Sequence, residues 1–250
     1  MTHVAASSYT SEFYGEQGSG SVASAGVVVP ILIDLFSPTS VVDVGCGVAA
    51  WAAEFRRHGV DDVLGVDGPW VDLDRLLIPP ACFQAVDLEG QLALNRTYDI
   101  AICLEVAEHL DEAYASQLVD SLATLAPVVV FSAAIPGQTG TRHVNEQWQS
   151  YWARLFMERG LSAHDCIRPL IWDHPGVQWW YAQNTIVYVA DGVLQPRTQH
   201  NDTRRTDLQF LDLVHPRLWT TTLAHRESVT RPPRSTIRAM LSQVRRLFSQ

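Results

Sequence analysis

Short runs of apolar residues alternate along the chain with longer segments in which apolar residues recur at helical spacing. Apolar runs of about four to eight residues are typical of strands, and longer segments with a period of about 3.6 are typical of helices. Strands are predicted at residues 41–44, 63–66, 83–86, 100–104, 128–133, 166–171 and 184–190. Helices are predicted at residues 24–36, 48–58, 111–125 and 146–159.

This order of elements predicts the fold class. Strands that alternate with helices form a mostly parallel sheet covered on both faces. The prediction is therefore an α/β fold with a doubly wound, mostly parallel, seven-stranded sheet. Ligands of such sheets bind beyond the carboxyl ends of the strands, so the loops that follow the strands should carry the functional residues.

The two ends of the chain depart from this pattern. Three glycines before the first predicted helix indicate a flexible lead-in: Gly15, Gly18 and Gly20. Residues 195–234 are rich in proline, threonine and arginine, which predicts irregular structure, and residues 235–248 carry apolar side chains at helical spacing, which predicts an amphipathic helix. We assign residues 1–194 to one domain with a helical lead-in and residues 195–250 to a basic C-terminal extension.

The most informative segment is S-V-V-D-V-G-C-G at residues 40–47, where an apolar run ends in an acidic residue and two glycines. Glycine at a strand-to-helix turn allows positive φ and lets a ligand approach the backbone closely. The amides that open the next helix can then hold an anionic or carboxylate group. The following apolar run ends at Asp67, where a carboxylate is placed to bind ribose hydroxyls. Together these features predict a nucleoside-cofactor site.

Four segments, in this order and spacing, resemble the class I S-adenosylmethionine (SAM) methyltransferases: D-V-G-C-G at 43–47, Asp67, V-D-L-E at 86–89 and Y-D-I-A-I-C-L-E at 98–105. The resemblance implies a Rossmann-like methyltransferase fold with SAM as cofactor. The alternative is a doubly wound domain that binds a different nucleotide or none, because a fold alone does not determine function.

The same resemblance implies roles for single residues. Asp43 and the glycine turn would hold the methionyl end of SAM, and Asp67 would bind the ribose. Asp87 and Leu88 would lie along the adenine edge. The full implied cofactor-binding set is Asp43, Gly45, Gly47, Asp67, Gly68, Asp87, Leu88 and Leu104.

The segment L-E-V-A-E-H-L follows the fourth predicted strand and places Glu105, Glu108 and His109 at i, i+3 and i+4. Such spacing lets the three side chains share one face where the strand turns into a helix. T-R-H-V-N-E-Q-W follows the fifth strand and adds His143 from the same edge of the sheet. Two carboxylates and two imidazoles predict a divalent-metal site. The alternative is a metal-free arrangement in which the acid caps a helix and the histidine packs.

A similar E-x-x-E-H occurs in the ubiquinone-pathway O-methyltransferases and in the plant small-RNA 2′-O-methyltransferase, which implies metal-ligand roles for Glu105, Glu108, His109 and His143. Mg²⁺ or Mn²⁺ is expected, and two imidazoles leave Zn²⁺ or another transition metal open. An aliphatic hydroxyl is a poor nucleophile until it loses its proton, so a metal site points to an O-methyltransferase.

The proton of such a hydroxyl needs an acceptor, and histidine is the side chain best matched to neutral pH. His143 is the leading candidate, and His174 and His109 follow. His174 precedes Pro175 in the predicted turn W-D-H-P-G at 172–176. Glu105 is a further candidate catalytic residue. A histidine bound to a metal cannot readily act as a base, so the two roles compete for His143.

Aromatic residues indicate the acceptor. Five of the 8 tryptophans lie in residues 145–152 and 172–184, and flat aromatic faces stack well on sugar rings. These segments, with F-Y-x-x-Q at 13–17 and L-V-H-P at 213–216, resemble sugar O-methyltransferases of methylmannose-polysaccharide synthesis. The resemblance implies a mannoside-type or other glycan acceptor. Two alternatives stay open: methylation of a small natural-product or quinone hydroxyl, and a non-catalytic SAM-binding partner.

Charge excludes some partners. All 18 basic residues are arginine; residues 1–196 carry 8 of them against 23 acidic residues, and residues 197–250 carry 10 against 4. The acidic main body argues against a nucleic-acid partner, which requires a broad basic footprint. For the basic C-terminal helix, docking on the main body or on a second subunit, giving a homodimer, is favoured over membrane attachment.

Compartment follows from what the sequence lacks. The 250 residues contain no apolar stretch long enough to span a bilayer and no secretion signal at the N-terminus, so stable membrane insertion is not expected. The 4 cysteines are scattered without C-x-x-C spacing, which favours buried reduced thiols. A cytoplasmic enzyme is therefore expected.

Overall fold

The computed structural model describes residues 11–193 and 205–222. A single seven-stranded sheet runs through it in the order β3-β2-β1-β4-β5-β7-β6. The strands are β1 Ser40–Val44, β2 Asp62–Asp67, β3 Phe83–Ala85, β4 Ile100–Leu104, β5 Val128–Ser132, β6 Leu161–His164 and β7 Ile186–Ala190. β7 lies antiparallel to both of its neighbours, and the pairings from β3 across to β5 are parallel. The predicted doubly wound, mostly parallel, seven-stranded sheet is confirmed.

Helices cover both faces of the sheet. The α-helices are α1 Ser11–Phe36, α2 Ala50–Arg57, α3 Ala115–Leu125, α4 Gln149–Met157, α5 Arg168–Ile171 and α6 Trp179–Asn184. Short 3₁₀ turns occupy Leu73–Arg75, Pro80–Cys82, Ala107–His109, Glu112–Tyr114 and Leu208–Phe210. Residues 216–222 are also helical.

Two apolar layers fix the helices to the sheet. On one face, Leu32 of α1 and Phe55 of α2 are fully buried against the strands. On the other face, Leu122 of α3 and Phe156 of α4 are fully buried. Because both faces of the central strands are buried, their sequences read as continuous apolar runs rather than as alternating ones, which is why they could be predicted.

The strand predicted at 166–171 is wrong. The sixth strand is Leu161–His164, and the predicted segment instead contains the helical turn Arg168–Ile171. Pro169 has no amide hydrogen to give to a strand ladder, but it fits the first turn of a helix, where that amide would be unpaired. In this segment Ile167 and Ile171 are buried while Leu170 is 52% exposed, which is the one-sided burial of a helical turn.

The flexible lead-in predicted at Gly15, Gly18 and Gly20 is also wrong, because α1 begins at Ser11 and includes all three. Gly20 serves close packing: a Cβ there would lie 3.1 Å from the Gln178 side chain. The Ser24 hydroxyl accepts a hydrogen bond from the Gln178 amide at 3.1 Å and so fixes this approach.

In the region predicted to be irregular, residues 216–222 are helical. The amphipathic helix predicted at 235–248 lies outside the described residues. The chain divides into two compact units, residues 1–213 and 214–250. Within the first unit, Asp212 accepts hydrogen bonds from the Ser150 amide and hydroxyl, each at 2.8 Å. Within the described residues, no helix has the length and apolar character needed to cross a bilayer.

Candidate functional site

The glycine turn after β1 forms the first wall of the site. Gly45 and Gly47 have φ of +74° and +53°, values that glycine adopts without strain. A Cβ on Gly45 would overlap the Val106 side chain, so this position needs glycine for space as well as for conformation. Asp43, at the end of the same strand, is buried, and its Oδ2 accepts a hydrogen bond of 3.3 Å from the Ala52 amide.

Burial raises the pKa of Asp43 to about 7, an effect that the Ala52 amide opposes and the charge of Asp67 reinforces. An acid with this pKa is poised between its charged and neutral forms at neutral pH. Its charged form therefore becomes fully favoured when a cation binds beside it.

Asp67 connects the end of β2 to the glycine turn. Its Oδ2 accepts a hydrogen bond of 2.7 Å from the Gly47 amide, and its Oδ1 accepts one of 2.6 Å from the Gly68 amide. Burial raises its pKa, and these two backbone bonds oppose the rise. The Trp70 ring lies directly over Gly68, where a Cβ would overlap it.

The predicted adenine-edge residues lie after β3. Asp87 is exposed, and its Oδ1 accepts a hydrogen bond of 3.0 Å from the Glu89 amide. Leu88 is buried. Neither residue lines the main cavity described below, whereas Leu104, at the end of β4, does.

Glu105 follows β4 in a strained conformation, with φ of +55°. Its carboxylate accepts hydrogen bonds of 3.2 Å from Gln138 Nε2 and from Asn184 Nδ2. Burial raises its pKa, and hydrogen bonds from Ser132 and Asn184 oppose the rise. A non-glycine residue at positive φ persists only where its surroundings hold it, and such residues cluster at functional sites.

Glu108, His109 and His143 come together next to Glu105. Within residues 11–193 and 205–222, they are the group of potential metal ligands whose donor atoms all lie within 4.8 Å of one another. The two imidazole centroids are 5.1 Å apart at an interplanar angle of 79°. Three of the four predicted metal ligands therefore converge, while the carboxylate of Glu105 is held by the amides of Gln138 and Asn184.

The cluster contains buried polar atoms that lack partners. Among the described residues, both carboxylate oxygens of Glu108 and Nδ1 of His109 have no hydrogen-bond partner. Burial and the charge of Glu105 raise the pKa of Glu108 well above its usual value. Burial, together with the nearby His143, lowers the pKa of His109 to about 4. A bound cation would satisfy both orphaned groups, because a neutral imidazole and a carboxylate are the forms that ligate metals.

These residues line one cavity of about 330 Å³ at the carboxyl edge of the sheet. Asp43 and the glycine turn lie in its wall, as do Glu105, Glu108 and His109. The lining residues, all in the described part of the chain, include no lysine and no arginine. The cavity is therefore anionic whenever its carboxylates are charged.

Aromatic side chains complete the wall. Trp51 and Tyr181 meet edge to face with ring centroids 5.1 Å apart, and Trp179 and Trp180 do so at 5.6 Å. The Tyr181 hydroxyl lies 3.1 Å from the hydroxyl of Ser21 in α1, so the first helix also borders the cavity. Faces of aromatic rings attract cations and stack on sugar rings.

His174 lies outside this arrangement. It is exposed in a turn, where its Nδ1 accepts a hydrogen bond of 3.1 Å from the Gly176 amide, and it does not line the cavity. Trp148 and Trp152 are four residues apart but differ in burial: Trp152 is buried, whereas Trp148 is 39% exposed.

Several site residues were missed from the sequence. Gln138 and Asn184 hold Glu105, and Glu146 accepts a hydrogen bond of 2.9 Å from His143 Nδ1. The three-residue spacing of His143 and Glu146 could have indicated that their side chains meet. Gln138 and Asn184 come from distant segments, and no local pattern could have paired them with Glu105.

The profile of a family described as Methyltransferase domain matches residues 25–187 of the chain. No curated protein sequence matches the chain at a significant level.

Solved structures share the fold at low sequence identity. A protein from Nostoc punctiforme assigned as an O-methyltransferase is 16% identical with a TM-score of 0.55; the match covers 71% of this chain and 59%, less than two thirds, of that chain. The sugar N-methyltransferase KedS8 from a Streptoalloteichus species is 16% identical with a TM-score of 0.57, and the match covers 76% of this chain and 96% of that one. Magnesium protoporphyrin IX methyltransferase from Synechocystis, solved with S-adenosylhomocysteine (SAH), is 19% identical with a TM-score of 0.51, covering 73% and 88%. At these identities the likeness establishes the fold alone, the Rossmann-like fold of class I methyltransferases.

The two glycines of the turn should differ in their tolerance of alanine. Gly45→Ala combines a left-handed backbone with overlap of Val106, whereas Gly47→Ala meets no atom within 4 Å and has only the backbone cost, about 1–2 kcal/mol. Urea unfolding should therefore show G45A to be clearly less stable than G47A. Equal stabilities would contradict this description of the turn.

Proposed function

This chain belongs to the methyltransferase-domain family, and we propose that it transfers the methyl group of SAM to a hydroxyl of a sugar or oligosaccharide, with a mannoside-type acceptor favoured. One observation carries the proposal. One cavity, lined by carboxyl groups and aromatic rings, joins the glycine turn after β1 to the cluster of Glu108, His109 and His143. A cofactor held at the turn would therefore share one space with a hydroxyl held at the cluster.

Charge supports SAM as the occupant. SAM carries a sulfonium and an ammonium group, and the cavity presents Asp43, Glu105 and Glu108 with no lysine or arginine among its lining residues. Burial raises the pKa of all three carboxyls, which means that their charged forms lack adequate solvation. A cationic ligand supplies the missing counter-charge, and the faces of Trp51 and Tyr181 add attraction.

The proposed cofactor roles are those that the sequence predicts. Asp43 and the glycine turn are proposed to hold the methionyl end of SAM. Asp67, which accepts hydrogen bonds from the Gly47 and Gly68 amides, is proposed to bind the ribose. Asp87 and Leu88 lie along the adenine edge. The proposed cofactor set is Asp43, Gly45, Gly47, Asp67, Gly68, Asp87, Leu88 and Leu104.

The cluster is proposed to be a divalent-metal site. The orphaned oxygens of Glu108 and the free Nδ1 of His109 fit a cation, with His143 as third ligand and Glu105 beside them. Mg²⁺ or Mn²⁺ bound there would lower the pKa of an acceptor hydroxyl and fix its position. The chain's own residues orient the acceptor, exclude water and provide a proton acceptor.

His143 is the proposed proton acceptor when it is not committed to the metal, because it lines the cavity beside the cluster. Glu105 is the second candidate, since amides from two segments hold its carboxylate at the cavity wall. His174 would need to move from its exposed turn to take part.

Replacing Asp67 with alanine should weaken SAM binding by about 1.5–3 kcal/mol, because charge-assisted hydrogen bonds to the ribose are lost. Calorimetry at constant pH measures this change. Asp62→Ala is the matched control: it removes an exposed carboxylate from the other end of the same strand and should leave SAM affinity unchanged. Unchanged affinity in D67A would show the ribose assignment to be wrong.

SAM affinity should depend on pH through Asp43. Its pKa of about 7 in the ligand-free protein is above the usual range, so below pH 7 the bound cation must displace a proton from it. Affinity should therefore fall about tenfold from pH 8 to pH 6 through this group. The SAM amino group titrates in the same way whether SAM binds the native protein or the Asp43→Asn variant. The difference between the two plots of affinity against pH therefore reports the contribution of Asp43 alone. Parallel profiles would contradict the role of Asp43.

The function itself is tested by SAH production with different acceptors. Methyl mannosides and mannose oligosaccharides should support turnover better than phenols. Exhaustive treatment with EDTA should abolish or strongly reduce turnover, and Mg²⁺ or Mn²⁺ should restore it. Preference for phenols would favour the natural-product alternative, no turnover with any acceptor would favour a SAM-binding partner, and full activity after EDTA would remove the metal from the proposal.

A further inference from the structure

Glu146 organises the loop that carries His143. Its Oε1 accepts hydrogen bonds from the Thr139 amide at 2.7 Å and from His143 Nδ1 at 2.9 Å. Its Oε2 accepts a bond of 2.8 Å from the Gly137 amide. The side chains of Glu146 and His143 are only 18% and 13% exposed, so solvent competes weakly for these bonds.

This contact determines which nitrogen of His143 carries the proton. An ionised carboxylate has only acceptors, so the imidazole nitrogen that faces it must donate. Neutral histidine has one ring proton, and placing it on Nδ1 leaves the lone pair on Nε2. We propose that Glu146 is a positioning residue that holds His143 as the Nδ1–H tautomer and presents Nε2 to Glu108 and His109; this rests on the proposed function.

The backbone of the loop supports the positioning role of Glu146. Gly137, Thr139 and Arg142 have φ of +86°, +56° and +61°, and two of the three are not glycine. Such conformations persist only when surrounding contacts hold them, and Glu146 supplies two of those contacts through the amides of Gly137 and Thr139.

Gly140 provides the space for the ring. A Cβ at this position would overlap Nε2 and the adjacent ring carbons of His143, so the missing side chain lets the Nε2 edge lie there. From this position the ring meets His109 edge to face, with centroids 5.1 Å apart. His109 contributes a buried Nδ1 that has no partner among the described residues, and Glu108 contributes its carboxylate.

A carboxylate that accepts a hydrogen bond from a metal-binding histidine fixes the orientation of the imidazole ring and raises its basicity. Loss of that carboxylate typically lowers metal affinity about 10–100-fold. The roles of Glu146 and of the cluster can therefore be separated by two measurements on the full-length chain. One reports the tautomer of His143 without any metal, and the other reports binding of Mn²⁺.

The tautomer is read by ¹H–¹⁵N NMR of the ¹⁵N-histidine-labelled chain, with His143 assigned by its absence in His143→Gln. The native protein should have the Nδ1–H form. Glu146→Ala should lose this preference and weaken Mn²⁺ binding about 10–100-fold by calorimetry. Glu146→Gln keeps an oxygen that can accept from Nδ1–H, so it should retain the tautomer and lose less affinity. Glu158→Ala, which removes a 69% exposed carboxylate, is the control that should change neither.

A native His143 protonated on Nε2 would overturn the proposal, and this measurement needs no variant. An E146A chain with native tautomer and native Mn²⁺ affinity would overturn it as well. If the native chain binds no Mn²⁺, metal assistance fails as a proposed function, while the NMR result still decides the role of Glu146.

Discussion

Burial of several carboxyl groups in one cavity, whose lining residues in the described part of the chain include no lysine and no arginine, is the constraint on which the site depends. Asp43, Glu105 and Glu108 all line this cavity, and burial raises the pKa of each. A buried charge is costly unless it is paired, so the arrangement favours cationic ligands over neutral ones. SAM at the glycine turn would supply a positive charge near Asp43, and a divalent ion at the cluster would supply one near Glu108. The cofactor half and the metal half of the proposed site would therefore both bind cations for the same reason, the burial of carboxyl groups.

The second requirement is a backbone that can hold side chains in these positions. Glu105 has a positive φ, and so do two non-glycine residues of the loop after β5, Thr139 and Arg142. Side-chain hydrogen bonds stabilise them: Asn184 of α6 donates to the carboxylate of Glu105, and Glu146, in the same loop after β5, accepts from two amides of that loop. The rigid sheet places the strand ends, and these polar contacts then fix the orientation of the groups that line the cavity.

Most of the fold could be predicted because buried parallel strands leave continuous apolar runs, as at 41–44 and 100–104. The failures were local: Pro169 turned an apolar run into a helix, and Gly20 served close packing rather than flexibility. Asp43 and the histidine cluster could be predicted because parallel strands end at one edge. The contacts that orient them, such as Asn184 with Glu105, join segments far apart in the chain and leave no local pattern.

The most direct test of the proposed site is a crystal structure with SAM and Mn²⁺ bound, with anomalous data collected for the metal. We expect SAM along the glycine turn, with its sulfonium in the cavity beside Leu104 and Glu105, and one anomalous peak between Glu108, His109 and His143. SAM bound outside this cavity, or an anomalous peak at any other group of side chains with none at the cluster, would contradict the proposed site.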